Sequence, residues 1–124
     1  NLWLLMPSFS KHHIQSLIDF SIDTSHIEDF PVNPLASHSP FPIERPYYIL
    51  GECLLWTVEG IRNGKGYGSL APYLIDTTYK EKLKVLNGNE SLTVRDLYIK
   101  WWTTHKDGNW KDNNPLEGSP YRWR

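Results

Sequence analysis

The sequence predicts an all-α fold: a small helical domain of three main helices plus one or two short helices, with a Pro-rich linker and an aromatic C-terminal tail packed on it. Two observations carry this expectation. Apolar residues recur at three- and four-residue intervals in three separate segments, the period of a helix that buries one face. Nowhere does the chain alternate apolar and polar residues cleanly between hairpin turns, as a half-buried strand does. The 124 residues, 40% of them hydrophobic, suit one domain over residues 1–124 with a core that needs no disulfide.

The first helix is expected over residues 11–22. Ser10 suits its N-cap, and Ile14, Leu17, Ile18 and Ile22 make one stripe. The second is expected to begin near Pro46, a residue favoured in a first turn, and to end before Asn63-Gly64. Tyr47, Leu50, Leu54, Val58 and Ile61 mark one face, and Ile49, Cys53 and Trp56 widen it. A helix apolar over most of its circumference belongs at the centre. Between the two, Pro31, Pro34, Pro40, Pro42 and Pro46 forbid a helix. An extended linker is expected there, with Phe30, Val32, Leu35, Phe41 and Ile43 available to pack.

Gly64, Gly66 and Gly68 stop the second helix. Short helices are expected at 69–77, with Leu70, Leu74 and Ile75 inward, and at 79–86, where Asn87-Gly88-Asn89 is a break. The last helix has Thr93 as N-cap and Asp96 at the capping-box position. Val94, Leu97, Tyr98, Trp101 and Trp102 follow at helical spacing, and Asp107-Gly108 closes it. The tail, 109–124, holds Trp110, Leu116, Tyr121 and Trp123. Apolar area left in water costs about 25 cal/mol per Å², so the tail is expected to dock on the helices.

Several strings in this frame occur together: Phe30-Pro31-Val32-Asn33-Pro34, then Leu50-Gly51-Glu52-Cys53-Leu54-Leu55-Trp56-Thr57-Val58-Glu59-Gly60-Ile61-Arg62, then Ser69-Leu70-Ala71-Pro72-Tyr73-Leu74, and Pro115-Leu116-Glu117-Gly118-Ser119-Pro120-Tyr121-Arg122-Trp123. In this order the chain resembles small, uncharacterised secreted lipoproteins of Bacteroides-type gut bacteria, from about Ser8 onward. The resemblance implies an extracytoplasmic protein of the periplasm or cell surface, with a lipid anchor and signal peptide upstream of Asn1. It implies no activity and no catalytic residue.

Charge narrows the partners. Thirteen basic and fourteen acidic side chains leave a net charge of -1, which argues against a nucleic-acid or anionic-membrane binder. No apolar run reaches the roughly 18–20 residues that span a bilayer. The single cysteine excludes an internal disulfide and a cysteine zinc cage.

Glu52 and Glu59 lie two helical turns apart on one face, about 10 Å along the axis. Such a pair suits the acid and base of a glycosidase-like hydrolase. The competing expectation, which the sequence favours, is a structural ion-pair network of Glu52, Glu59 and Arg62, with Arg45 and Arg95 as further partners, because carboxylates are rarely buried unpaired. His12, His13, Asp19, Asp23 and His26 lack metal-ligand spacing, so no metal and no cofactor is expected. Cys53 sits among apolar residues, where a thiol is inert. Ser69 has no motif that makes His105 or Asp76 its partner. Gly64-Lys65-Gly66-Tyr67-Gly68 follows a helix, not a strand, and reads as a helix stop. Asn89-Glu90-Ser91 matches a glycosylation acceptor.

Aromatic residues, 14% of the chain, supply the best binding candidates. Trp102, Trp110, Tyr121 and Trp123, beside Trp101 and flanked by Arg122 and Arg124, can form a platform for a protein or glycan. The expected function is a non-enzymatic extracytoplasmic binding module. The alternatives are a small hydrolase using Glu52 and Glu59, and an intracellular helical scaffold.

Overall fold

The central element of the computed structural model is a 14-residue helix, α2 (Leu50–Asn63). The structure describes residues 6–31, 45–78 and 84–124. The central position of α2 follows from its apolar circumference: Cys53, Leu55, Trp56 and Val58 are all 0% exposed. The most buried side is not the predicted stripe, since Leu50, Leu54 and Ile61 are only half-buried. The helix also starts later than Pro46, because β2 (Tyr48–Ile49) first pairs antiparallel with β1 (His26–Ile27). Gly64 ends it at φ +73°, and the Lys65 N–H returns to the Gly60 carbonyl at 3.3 Å, a left-handed cap that glycine adopts without strain.

A 3-10 turn at Lys11–His13 leads into α1 (Ile14–Phe20). The Ser10 N–H donates to His13 Nδ1 at 2.9 Å. Ile14, Leu17 and Ile18 are buried as the stripe predicts. Ile22 is not, at 62% exposed, because α1 stops at Phe20 and the chain turns away. The turn crosses α2 at Gly51. A Cβ there would lie 2.1 Å from the Ser21 carbonyl oxygen, and the Gly51 N–H donates to the Asp23 carbonyl at 2.7 Å.

The all-α expectation is overturned by two antiparallel sheets. Beside the β1–β2 pair stands a three-stranded sheet of β3 (Leu74–Asp76), β4 (Lys84–Val85) and β5 (Tyr121–Trp123), in the order β4-β3-β5. Ile75 pairs with Val85 on one side and with Arg122 on the other. The helix expected at 69–77 is therefore a bend followed by a strand. That expected at 79–86 is a strand at Lys84–Val85, its residues 79–83 lying outside the described residues. Strands of two or three residues are too short for alternation to register.

The last helix, α3 (Gly88–His105), also begins earlier than Thr93. Asn87 is its N-cap: the Glu90 N–H donates to Asn87 Oδ1 at 2.9 Å and the Asn87 N–H donates to Glu90 Oε1 at 3.2 Å. Asn87-Gly88-Asn89, expected as a break, is thus a capping box with Glu90. The core joins Ile14, Leu17 and Ile18 of α1, Leu55 and Val58 of α2, Val94, Tyr98, Trp101 and Trp102 of α3, Leu74 of β3 and Leu116 of the tail. The tail docks through β5. Most of the Pro-rich linker, residues 32–44, lies outside the described residues. Among the described residues no helix is long and apolar enough to cross a membrane.

Candidate functional site

Both carboxylates of α2 are held by arginines, in two separate networks. Arg45, from the segment just before β2, makes a bidentate pair with Glu52, its Nη1 and Nη2 at 3.2 and 2.5 Å from the two oxygens. The Leu74 N–H adds a third donor at 3.3 Å. Glu52 and Arg45 are both buried. Burial pushes the Glu52 carboxyl up to about 7, outweighing the Arg45 charge and the hydrogen bonds that pull it down. The Arg45 guanidinium also lies over the Tyr73 ring, 4.9 Å from its centroid.

Glu59 accepts from Arg62 Nε and Nη2, the latter at 2.6 Å, and from the Tyr98 hydroxyl at 2.8 Å. Trp123 Nε1 donates to that hydroxyl at 2.9 Å. Burial, followed by the Glu59 charge, pushes the Tyr98 phenol well up, so it stays a neutral donor. Arg95 joins neither carboxylate. It donates to the Ile18 carbonyl and the Ser21 hydroxyl at the end of α1, where carbonyls lack helical partners and a cation is favoured.

The network has a further reach. Arg62 Nη1 donates to the Lys111 carbonyl at 2.9 Å, and Trp101 Nε1 donates to the Trp110 carbonyl at 3.1 Å. Two buried or half-buried side chains thereby fix the backbone of Trp110-Lys111. Beside it opens a cleft of about 500 Å³, with Phe9, Lys11, Ile61, Tyr67, Trp110 and Lys111 on its walls. Among the described residues no aspartate or glutamate lines it. Lys111 Nζ stands 5.5 Å from the Trp110 ring centroid.

The four aromatic candidates separate in space. Trp102 is in the core at 7% exposed. Trp110, Tyr121 and Trp123 are half-buried against the same core, and of the four only Trp110 lines the cleft. Trp101, Trp102 and Trp110 pack on one another with centroids 5.6–6.5 Å apart. Arg122 turns back to the Leu116 and Ser119 carbonyls, and Arg124 is exposed at the chain end. Sequence reasoning missed Lys11, Tyr67 and Lys111; the one local signal was Lys111 adjoining Trp110.

The other candidates have structural partners. The Ser69 hydroxyl accepts from Trp56 Nε1 at 2.9 Å and donates to the Ala71 carbonyl. Asp76 caps the Thr78 N–H at 2.8 Å, and His105 ends α3. Cys53 is fully buried, and burial raises its thiol well above the ordinary range. His26 stacks on Tyr47 at 3.8 Å. His12, His13, Asp19 and Asp23 are exposed along α1 and its flanks, and among the described residues no three His, Cys, Asp or Glu groups could hold a metal ion. Asn89 is exposed in the first turn of α3, with the Ser91 hydroxyl donating to the Gly88 carbonyl.

No curated protein and no solved structure matches the chain. A family model described as a domain of unknown function, DUF4943, matches residues 3–124, and the chain belongs to that family.

Proposed function

We propose that the protein is a non-enzymatic binding module that takes an acidic glycan into the cleft at Trp110. The resemblance to secreted lipoproteins supports a site of action outside the cytoplasm. One observation carries the reading: the cleft combines aromatic rings with Lys11 and Lys111 and carries no carboxylate among its described walls. Sugar rings stack on aromatic faces, and carboxylates pair with ammonium groups through charge-assisted hydrogen bonds. The volume falls in the roughly 300–1,000 Å³ range of ligand pockets. The Arg62 and Trp101 bonds to the Trp110-Lys111 backbone fix the wall before a ligand arrives, which lowers the ordering cost of binding.

The hydrolase alternative has less support. A general acid or base must reach the substrate, and Glu52 and Glu59 are buried and committed to arginines. The test is calorimetric titration with uronate-containing oligosaccharides and their neutral counterparts. Acidic glycans are expected to bind, and Trp110→Ala to weaken them at least about tenfold, the scale of a lost aromatic anchor. Equal binding of neutral glycans would remove the lysines from the account. Absence of binding, or cleavage of the glycan on incubation, would overturn the reading.

A further inference from the structure

The α1 face adjoins the Trp110 cleft, sharing Phe9 with it and meeting it at Lys11, but Phe20, Ile22 and the groove beside them are features that the binding reading does not use. Phe20 is 70% exposed and Phe9 36%, with Ile22 exposed two residues beyond the helix. Phe20 and Phe9 border an apolar groove of about 320 Å³ floored by Leu17, Leu50 and Leu54, with His13 and Asp23 at its rim. Such anchors around an apolar depression are the makings of an interface core.

The order of charge on this face identifies the occupant. Lys11, His12 and His13 stand at the beginning of the helical stretch, and Asp19 and Asp23 at and just beyond its end; all five are exposed. This is the reverse of what the helix macrodipole favours, which is acid at the start and base at the end. Asp19 accepts from Gln15 Nε2 at 2.8 Å, and Asp23 accepts from the Ser25 N–H at 2.9 Å. An arrangement unfavourable within one helix becomes favourable when a second copy lies antiparallel to it. The basic end of each then meets the acidic end of the other.

We propose that two copies of this chain associate through an antiparallel α1–α1 contact about a two-fold axis near Ser16. Ser16, a small exposed side chain on the groove wall, allows close approach at the axis. Phe20 of each copy enters the groove of the other beside Phe9 and His13. A two-fold contact uses one patch twice, so a self-complementary patch is what it requires. The net charge of -1 leaves little repulsion between copies. A contact built on ten helical residues is small against the roughly 1,600 Å² of a standard interface, so the dimer is weak and concentration-dependent.

Sedimentation velocity from about 10 μM to about 1 mM, the range of a small interface, tests it. Wild-type protein is expected to shift to a dimer across that range, and Phe20→Glu to stay monomeric with an unchanged circular dichroism spectrum. Asp19→Lys is expected to weaken association up to about twenty-five-fold, about fivefold for each of the two symmetry-related exposed pairs, and Lys11→Asp with Asp19→Lys to restore it. A wild type monomeric at the highest concentration would overturn the proposal and leave the face to a different protein or to lipid. A dimer indifferent to Phe20→Glu would overturn it too, by placing the contact elsewhere. Equal loss in the single and double charge variants would overturn the antiparallel order. Sedimentation reads association alone, and glycan binding, in which Lys11 also takes part, is read separately by titration of wild type and Phe20→Glu at low protein concentration.

Discussion

Glu52 shows how burial and pairing compete at one side chain. Two nitrogens of Arg45 and the Leu74 N–H surround it, yet burial still lifts its carboxyl from 4.5 to about 7. The folded protein therefore holds a proton more tightly here than the unfolded chain does. By linkage, the contribution of Glu52 to stability is fully present below pH 4.5 and is lost as pH rises through about 7. Denaturant titrations of wild type and Glu52→Gln should show it. The stability of wild type relative to the variant is expected to fall on the order of 2–3 kcal/mol between pH 4.5 and 7.5, and a flat difference would show that Arg45 holds Glu52 ionised throughout. That these glutamates sit among arginines was legible from their place on an apolar helix. Which arginine each takes was not. Arg45 reaches Glu52 because residues 45–49 bend into β2 instead of joining α2, and Arg95 is drawn off by the end of α1.

At the scale of elements, long periodic helices were legible and short devices were not. The apolar circumference of α2 announced a central helix, and Val94, Tyr98, Trp101 and Trp102 announced α3. The capping box at Asn87 and Glu90 was overlooked because Asn-Gly-Asn reads equally as a break. The strands escaped because pairing, not pattern, creates them: β3 is set by neighbours about ten and forty-seven residues away along the chain. Gly51 is the sharpest case of a long-range demand on one residue. Its missing Cβ lets the Ser21–Asp23 turn touch α2. Gly51→Ala forces backbone apart, since the nearest atoms are carbonyl oxygens rather than flexible side-chain ends. It is expected to destabilise by about 3 kcal/mol or more in a denaturant titration, whereas Gly108→Ala, with nothing within 4 Å of the added Cβ, should lie within about 0.5 kcal/mol of wild type.

For the molecule as a whole, the tail is part of the core. β5 extends the sheet, Leu116 enters the main cluster, and Trp123 reaches Tyr98, which reaches Glu59 and so Arg62 and the wall of the cleft. That the tail would dock was legible from its aromatic content alone. That it would dock as a strand and complete a polar chain across three elements was not, since each link joins residues far apart in sequence. Deleting residues 120–124 removes the β5 pairing and one donor to Tyr98. It is expected to lower the melting temperature by roughly 10 °C, at about 4 °C per kcal/mol for a chain of this size, and to weaken glycan binding although no deleted residue lines the cleft. An unchanged melting temperature would mean that the strand contributes nothing to stability.

The two arginine–glutamate pairs also constrain how this chain can change over generations. Losing the partner of Arg45, Glu52 or Glu59, the three buried members, leaves a buried ionisable group uncompensated at about 3–5 kcal/mol, a large share of the roughly 5–15 kcal/mol that keeps a domain folded. Apolar pairs of similar volume would serve as well, but the route to them passes through a single mutant that barely folds. Arg45 with Glu52, and Glu59 with Arg62, are thus expected to be inherited as couples, replaced together or not at all, while the exposed lysines of the cleft drift with whatever ligand a lineage meets.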